Sequence, residues 1–118
     1  MNRFLKSFQY ALRGTRFAIA EQMNLKIHSC VAIVVVTAGF YFDVTEGEWL
    51  AIVLAIGLVM TTELVNTSIE HIVNLVSPQR QPLAGKIKDI SAGAVLVAAI
   101  TSGVIGLIIF GRYVLPNA

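Results

Sequence analysis

The sequence predicts an all-α integral membrane protein made of one domain: an N-terminal surface helix followed by three transmembrane helices. Three observations predict it. Apolar residues fill 56% of the 118 positions and charged residues only 14%, where soluble domains carry roughly 25% charged residues. Mean hydropathy is +0.74. The apolar residues also gather into three segments, each close to or beyond the roughly 20 residues that a bilayer crossing needs. Disorder and a soluble enzyme are both poor fits, and a chain of this length holds one domain, residues 1–118.

Residues 3–20 form the surface helix. At about 100° per residue, Phe4, Leu5, Phe8, Ala11, Leu12 and Ile19 fall on one arc, with Arg3, Lys6, Gln9, Arg13 and Arg16 on the other. A basic face opposite a Phe/Leu face suits a helix lying in the membrane interface. The same basic residues break up any compact apolar core, so no cleavable signal peptide is expected.

The first crossing covers about residues 27–42, roughly 24 Å of helix, slightly short unless it starts nearer Asn24. Cys30 lies within it as a lone cysteine, which excludes a disulfide framework. The acidic stretch DVTEGE follows, and then Trp49, whose indole suits the water–lipid boundary. The second crossing runs over about residues 49–76, roughly 42 Å against a hydrocarbon core of roughly 30 Å. Its last turns therefore emerge into the headgroup layer. The segment SPQRQPLAGK reads as a loop, and the third crossing runs over about residues 90–111, its helix beginning near residues 87–90. Within it Ala94, Ala98, Ser102 and Gly106 recur at four-residue spacing, a small-residue ridge for helix packing.

Basic residues set the orientation. Arg3, Lys6, Arg13, Arg16 and Lys26 precede the first crossing, and Arg80, Lys86 and Lys88 separate the second from the third. The 43–48 segment has none and the C-terminus has Arg112. The positive-inside rule then predicts a cytoplasmic N-terminus and a cytoplasmic second loop, on the side that has ATP.

The candidate chemistry lies at the end of the second crossing. With Glu63 as origin, Asn66 lies at about −60°, Thr67 at +40°, Glu70 at −20° and Asn74 at +20° around the helix. Ionisable residues at such depth cost roughly 2.5–3.5 kcal/mol and usually mark function. Paired carboxylates can hold Mg²⁺ together with substrate phosphates, or accept a proton from a hydroxyl. Lys86, Lys88 and Asp89, with backbone amides around Gly85, can meet a polyphosphate. Neither GxxxxGK[ST] nor GxGxxG occurs. Residue chemistry alone leaves metal-assisted phosphoryl transfer and proton-coupled transport by a small multisubunit transporter both open.

The strings ELVNTSIE at 63–70 and PLAGKIKDISAGAVLVAA at 82–99 closely resemble the bacterial diacylglycerol kinase and undecaprenol kinase family of small membrane enzymes. The likeness extends over nearly the whole chain, through NLKIH before the first crossing and EWL at the second. The resemblance implies a homotrimer in the bacterial inner membrane with active sites shared between chains. It would phosphorylate a lipid hydroxyl from ATP with Mg²⁺, and nucleic acid is not an expected partner. By the same resemblance Glu63 is the general base and Glu70 holds Mg²⁺. Asn66 orders the site, Lys88 and Asp89 contact the nucleotide with Gly85 close by, and Arg3 and Tyr10 reach ATP from the surface helix.

Four positions depart from the family pattern or invite misreading. Gln22 stands where the family usually has a second metal-ligand glutamate, with Glu21 one residue earlier and able to substitute only by reaching over. Asn74 replaces an aspartate and Gln81 a histidine. His28 matches a common family residue and is read mainly as an interfacial hydrogen-bonder. A non-catalytic lipid-binding relative is the reading those replacements favour. The loop wording around PLAGKIKDI looks more like the undecaprenol branch, so undecaprenol ranks above diacylglycerol as the expected substrate.

Overall fold

A computed structural model describes residues 2–115, which form four helices: α1 (Asn2–Glu21), α2 (Met23–Tyr41), α3 (Glu46–Val76) and α4 (Pro82–Val114). The chain is all-helical, and α2, α3 and α4 are each long and apolar enough to cross a membrane. α3 packs chiefly along α4, α2 leans on α3, and α1 touches α2 and, more lightly, α3. The radius of gyration is 17.4 Å, against about 13–14 Å for a compact domain of this length. The shortest dimension, 20 Å, equals about two helix diameters. A slab this thin cannot enclose a large core, and Leu25, Ile52 and Glu63 are its largest fully buried side chains.

The α3–α4 seam follows a coiled-coil rhythm. Glu48, Ile52, Ala55, Val59, Glu63 and Asn66 are buried on α3, at the three- and four-residue spacings that keep one stripe facing a partner helix. On α4, Ser91, Ala98 and Ile109 are buried, with Ser102 and Ile105 half-buried between. Small residues let the backbones approach closely enough for Ser102 Oγ to donate to the Ala55 carbonyl at 3.1 Å. The expected four-residue ridge is only partly used within the chain, since Ala94 is exposed. A strict four-residue repeat drifts about 40° per step and walks off the seam.

The α2–α3 turn is tight. Val44 N–H donates to the Gly39 carbonyl at 3.1 Å and Asp43 N–H to the Phe40 carbonyl at 3.3 Å, the paired bonds of a Schellman end. Asp43 takes the left-handed conformation that this end requires, φ 52, which Asp tolerates better than most residues. Thr45 and Glu48 then form a capping box that starts α3. The capping box explains why α3 begins at Glu46, ahead of Trp49.

α4 begins earlier than its expected start at residues 87–90. Pro82 occupies its first turn, where a missing N–H costs nothing and the fixed φ is already helical. The connection shrinks to residues 77–81, and Gly85 is helical. α2 likewise begins at Met23, four residues before the expected 27, and stops at Tyr41 with Phe42 as its cap.

Candidate active site

The polar stripe of α3 turns inward. Glu63 is 2% exposed, Asn66 8% and Thr67 5%, while Glu70 is half-buried one heptad on, roughly 10.5 Å along the axis. Thr67 Oγ1 donates to the Glu63 carbonyl at 2.9 Å. Asn66 Oδ1 accepts from Ser91 Oγ of α4 at 2.6 Å. Lys88 Nζ donates to Asn74 Oδ1 at 2.6 Å. These two bonds fasten the start of α4 to the end of α3, on either side of the turn carrying Glu70.

Glu63 meets α2. His28 Nε2 lies 3.3 Å from Glu63 Oε1, yet Oε1 is buried and makes no hydrogen bond. Most buried oxygens have a partner, which sets Glu63 Oε1 apart within the polar stripe. His28 also lines an apolar groove of about 310 Å³ between α2, α3 and α4, with Val59, Met60 and Ser102. That volume lies at the lower end of the roughly 300–1,000 Å³ of small-molecule sites.

The other expected site residues are spread more widely. Asp89 and Gly85 are exposed on the first turns of α4 and Lys88 is half-buried. The Gly85 N–H donates to the Gln81 carbonyl at 3.1 Å, so it is not a free phosphate donor. The donors that the start of α4 leaves open belong to Leu83 and Ala84. Glu21 ends α1, while Gln22 is the extended residue between α1 and α2, with φ −97 and ψ 118. Glu21 and Gln22 are therefore not successive positions of one helix. The Phe17 and His71 rings, 6.3 Å apart, lay the C-terminal part of α1 beside the α3 turn that bears Glu70. Arg3 and Tyr10 are exposed, roughly 21 and 10.5 Å along α1 from Phe17. The structure does not bring them to the Glu63 stripe within one chain, and the Arg13 guanidinium lies 5.7 Å from the Tyr10 ring.

No group of three or more His, Cys, Asp or Glu among the described residues forms a ready cation cage. Mg²⁺ binds through one or two carboxylates plus substrate phosphates and water. Glu70, half-buried on the α3 turn that lies near Phe17 of α1, offers one such carboxylate.

A family model described as prokaryotic diacylglycerol kinase matches residues 9–110. The chain belongs to that family. It is a multi-pass membrane enzyme of the lipid-kinase class. The undecaprenol kinase of Bacillus subtilis (strain 168) is 43% identical over 93% of this chain and 89% of its own length. A diacylglycerol kinase of Synechocystis is 39% identical over 86% of this chain but only 59% of its own length. The diacylglycerol kinase of Escherichia coli (strain K12) is 26% identical over 85% of this chain and 82% of its own.

One partner of the site escaped the sequence reading, and another was read in a different role. Ser91, which holds Asn66, lay inside the string PLAGKIKDISAGAVLVAA, read only for its family resemblance and not as a hydrogen-bond donor. His28, expected as an interfacial hydrogen-bonder, lies instead against the buried Glu63 carboxylate. At the opposite end, Glu48 accepts from Arg112 Nη2 at 2.9 Å and from the Tyr113 hydroxyl. No local signal links residues so far apart in sequence.

Proposed function

We propose that this lipid kinase transfers the γ-phosphoryl group of ATP to the primary hydroxyl of a membrane lipid, with Mg²⁺. The observation that carries the reading is the buried, unpartnered Oε1 of Glu63, one turn beyond groove residues Val59 and Met60. A lipid tail held in apolar surroundings presents its hydroxyl near that oxygen. Oε1 takes the hydroxyl proton as the lipid oxygen bonds to phosphorus and the bond to the ADP oxygen breaks. Excluding water from the site disfavours hydrolysis of ATP.

Glu70, with Glu21 or Gln22, would hold Mg²⁺, which when bound neutralises charge on the phosphates. Lys88 supplies a cation to the nucleotide, positioned by Asn74, and Asn66 is held by Ser91 facing the same space. Asp89 and the Gly85 turn border the nucleotide, with the open amides of Leu83 and Ala84 beside them. Arg3 and Tyr10 reach ATP on a neighbouring chain of a homotrimer. The exposed Phe4, Leu5, Phe8 and Leu12 of α1 support a surface helix whose apolar face is covered by lipid. The basic residues before α2 and between α3 and α4 support a cytoplasmic N-terminus in the bacterial inner membrane. Undecaprenol ranks before diacylglycerol as acceptor, supported by the loop wording and by the 43% identity to an undecaprenol kinase.

The test is direct. Purified protein with ATP and Mg²⁺ is given undecaprenol or diacylglycerol in mixed micelles, and phosphorylated lipid is measured. Turnover of at least one lipid is expected, faster with undecaprenol. No turnover with either removes the reading.

A further inference from the structure

The contact between His28 and Glu63 raises a question that the phosphoryl transfer leaves open. A base buried to 2% exposure, once protonated, needs a route for the proton to leave before the next turnover. His28 touches the one atom concerned, its Nε2 lying 3.3 Å from Glu63 Oε1. Its side chain keeps 25% exposure where that of Glu63 keeps 2%. It also sits only five residues into α2, roughly 7.5 Å from the helix start. The ring therefore lies between the buried carboxylate and the first turns of α2.

The unmade hydrogen bond between them fits such a role. A neutral imidazole carrying its proton on Nδ1 presents Nε2 as an acceptor. Two acceptors then face each other across 3.3 Å, and a proton delivered to Oε1 completes the bond between them. Resting Glu63 thus keeps an oxygen free for the substrate hydroxyl, and protonated Glu63 gains a partner.

We propose that His28 is a proton relay that resets Glu63 after each phosphoryl transfer. The proposal rests on the lipid-kinase reading of Glu63. In the chemical step the lipid O–H bond breaks, its proton passes to Oε1, the lipid O–P bond forms and the bond from phosphorus to the ADP oxygen breaks. The Oε1 proton then passes to His28 Nε2. The imidazolium so formed releases its Nδ1 proton to water, Glu63 is again a carboxylate, and tautomer exchange through water returns the remaining ring proton from Nε2 to Nδ1 before the next turnover. His28 acts through Glu63 and does not itself touch the reacting phosphorus.

A relay acts after chemistry, and this separates it from a residue that merely supports the fold. Rapid-quench measurement on the full-length protein with ATP, Mg²⁺ and the accepted lipid compares the first turnover with the steady state. For His28→Ala, the first turnover should stay within about twofold of wild type while steady-state turnover falls by about tenfold or more. Imidazole added to the assay should restore much of the steady-state rate. Equal loss in both phases, no loss in either, or a steady-state loss that imidazole leaves unchanged overturns the relay. Should His28→Ala fail to fold, His28→Gln keeps most of the volume without a titrating ring, and the same two-phase comparison decides. The control is Glu63→Gln, which should lose the first turnover itself. If it retains the first turnover, the reading of Glu63 as base fails, an outcome separate from any result at His28.

Discussion

Ser91 Oγ donates to Asn66 Oδ1 across 2.6 Å, a buried bond that ties the first turns of α4 to the polar stripe of α3. Asn66 lies one turn from Glu63, so this bond helps set the angle at which the stripe faces the site. Replacing Ser91 with Ala leaves a buried amide oxygen without its donor, at a cost of about 1–3 kcal/mol. We expect Ser91→Ala to lower the thermal unfolding midpoint in detergent and to reduce turnover severalfold. An unchanged midpoint would show that Asn66 finds another partner.

Asn74 positions a cation. Its Oδ1 accepts from Lys88 Nζ at 2.6 Å, and both groups lie near the surface end of the stripe. Asn74→Ala should raise the KM for ATP severalfold and change kcat little, because the lysine charge remains but its position is lost. Asn74→Asp should tighten the hold through a charge-assisted bond. Initial rates over a range of ATP concentrations check both.

Gly39 permits a close approach. A Cβ built there would lie 2.6 Å from Cη2 of Trp49, whose ring also meets Phe40 at 4.9 Å. Gly39→Ala should destabilise by about 1–3 kcal/mol through overpacking. Trp49→Phe removes the atoms in conflict, so the double variant should recover much of the loss. A cycle of unfolding midpoints measures that coupling.

Glu48 closes the end of the bundle remote from Glu63, since it lies roughly 22 Å away along α3. It caps α3 through Thr45 and accepts bonds from Arg112 and Tyr113 of α4. Glu48→Ala should lower the unfolding midpoint more than Arg112→Ala, because it removes the Glu48 half of the capping box as well as both cross-helix bonds. Turnover of the surviving folded enzyme should stay near wild type. A large loss of activity in folded protein would contradict a purely structural role.

Local features of the sequence were the legible ones. Composition and apolar run length reveal the three long helices, and the helical wheel reveals that Glu63, Asn66, Thr67 and Glu70 share a stripe. Punctuation was harder, because Pro82 and Gly85 look like loop residues. Pro82 instead opens a helix, and Gly85 sits inside it with its amide bonded to Gln81. The small-residue ridge is used in part for a geometric reason: a four-residue step drifts about 40°, so Ala98 and Ser102 meet α3 while Ala94 leaves that face. Pairings between helices left no local trace. His28 with Glu63, Ser91 with Asn66 and Glu48 with Arg112 each join residues that only the packing of separate helices brings together. Gln22 was legible as an unusual neutral residue, but its place between α1 and α2, rather than within one helix, was not.

The central claim is that the buried Glu63 carboxylate is the base for lipid phosphorylation. The most direct measurement is initial-rate phosphorylation of undecaprenol and diacylglycerol by wild type and Glu63→Gln, with the oligomeric state and unfolding midpoint of both followed in parallel. The account predicts that Glu63→Gln keeps its fold and assembly but loses turnover by at least about 10²-fold with the accepted lipid. A well-folded Glu63→Gln protein that phosphorylates lipid at near wild-type rate would contradict it.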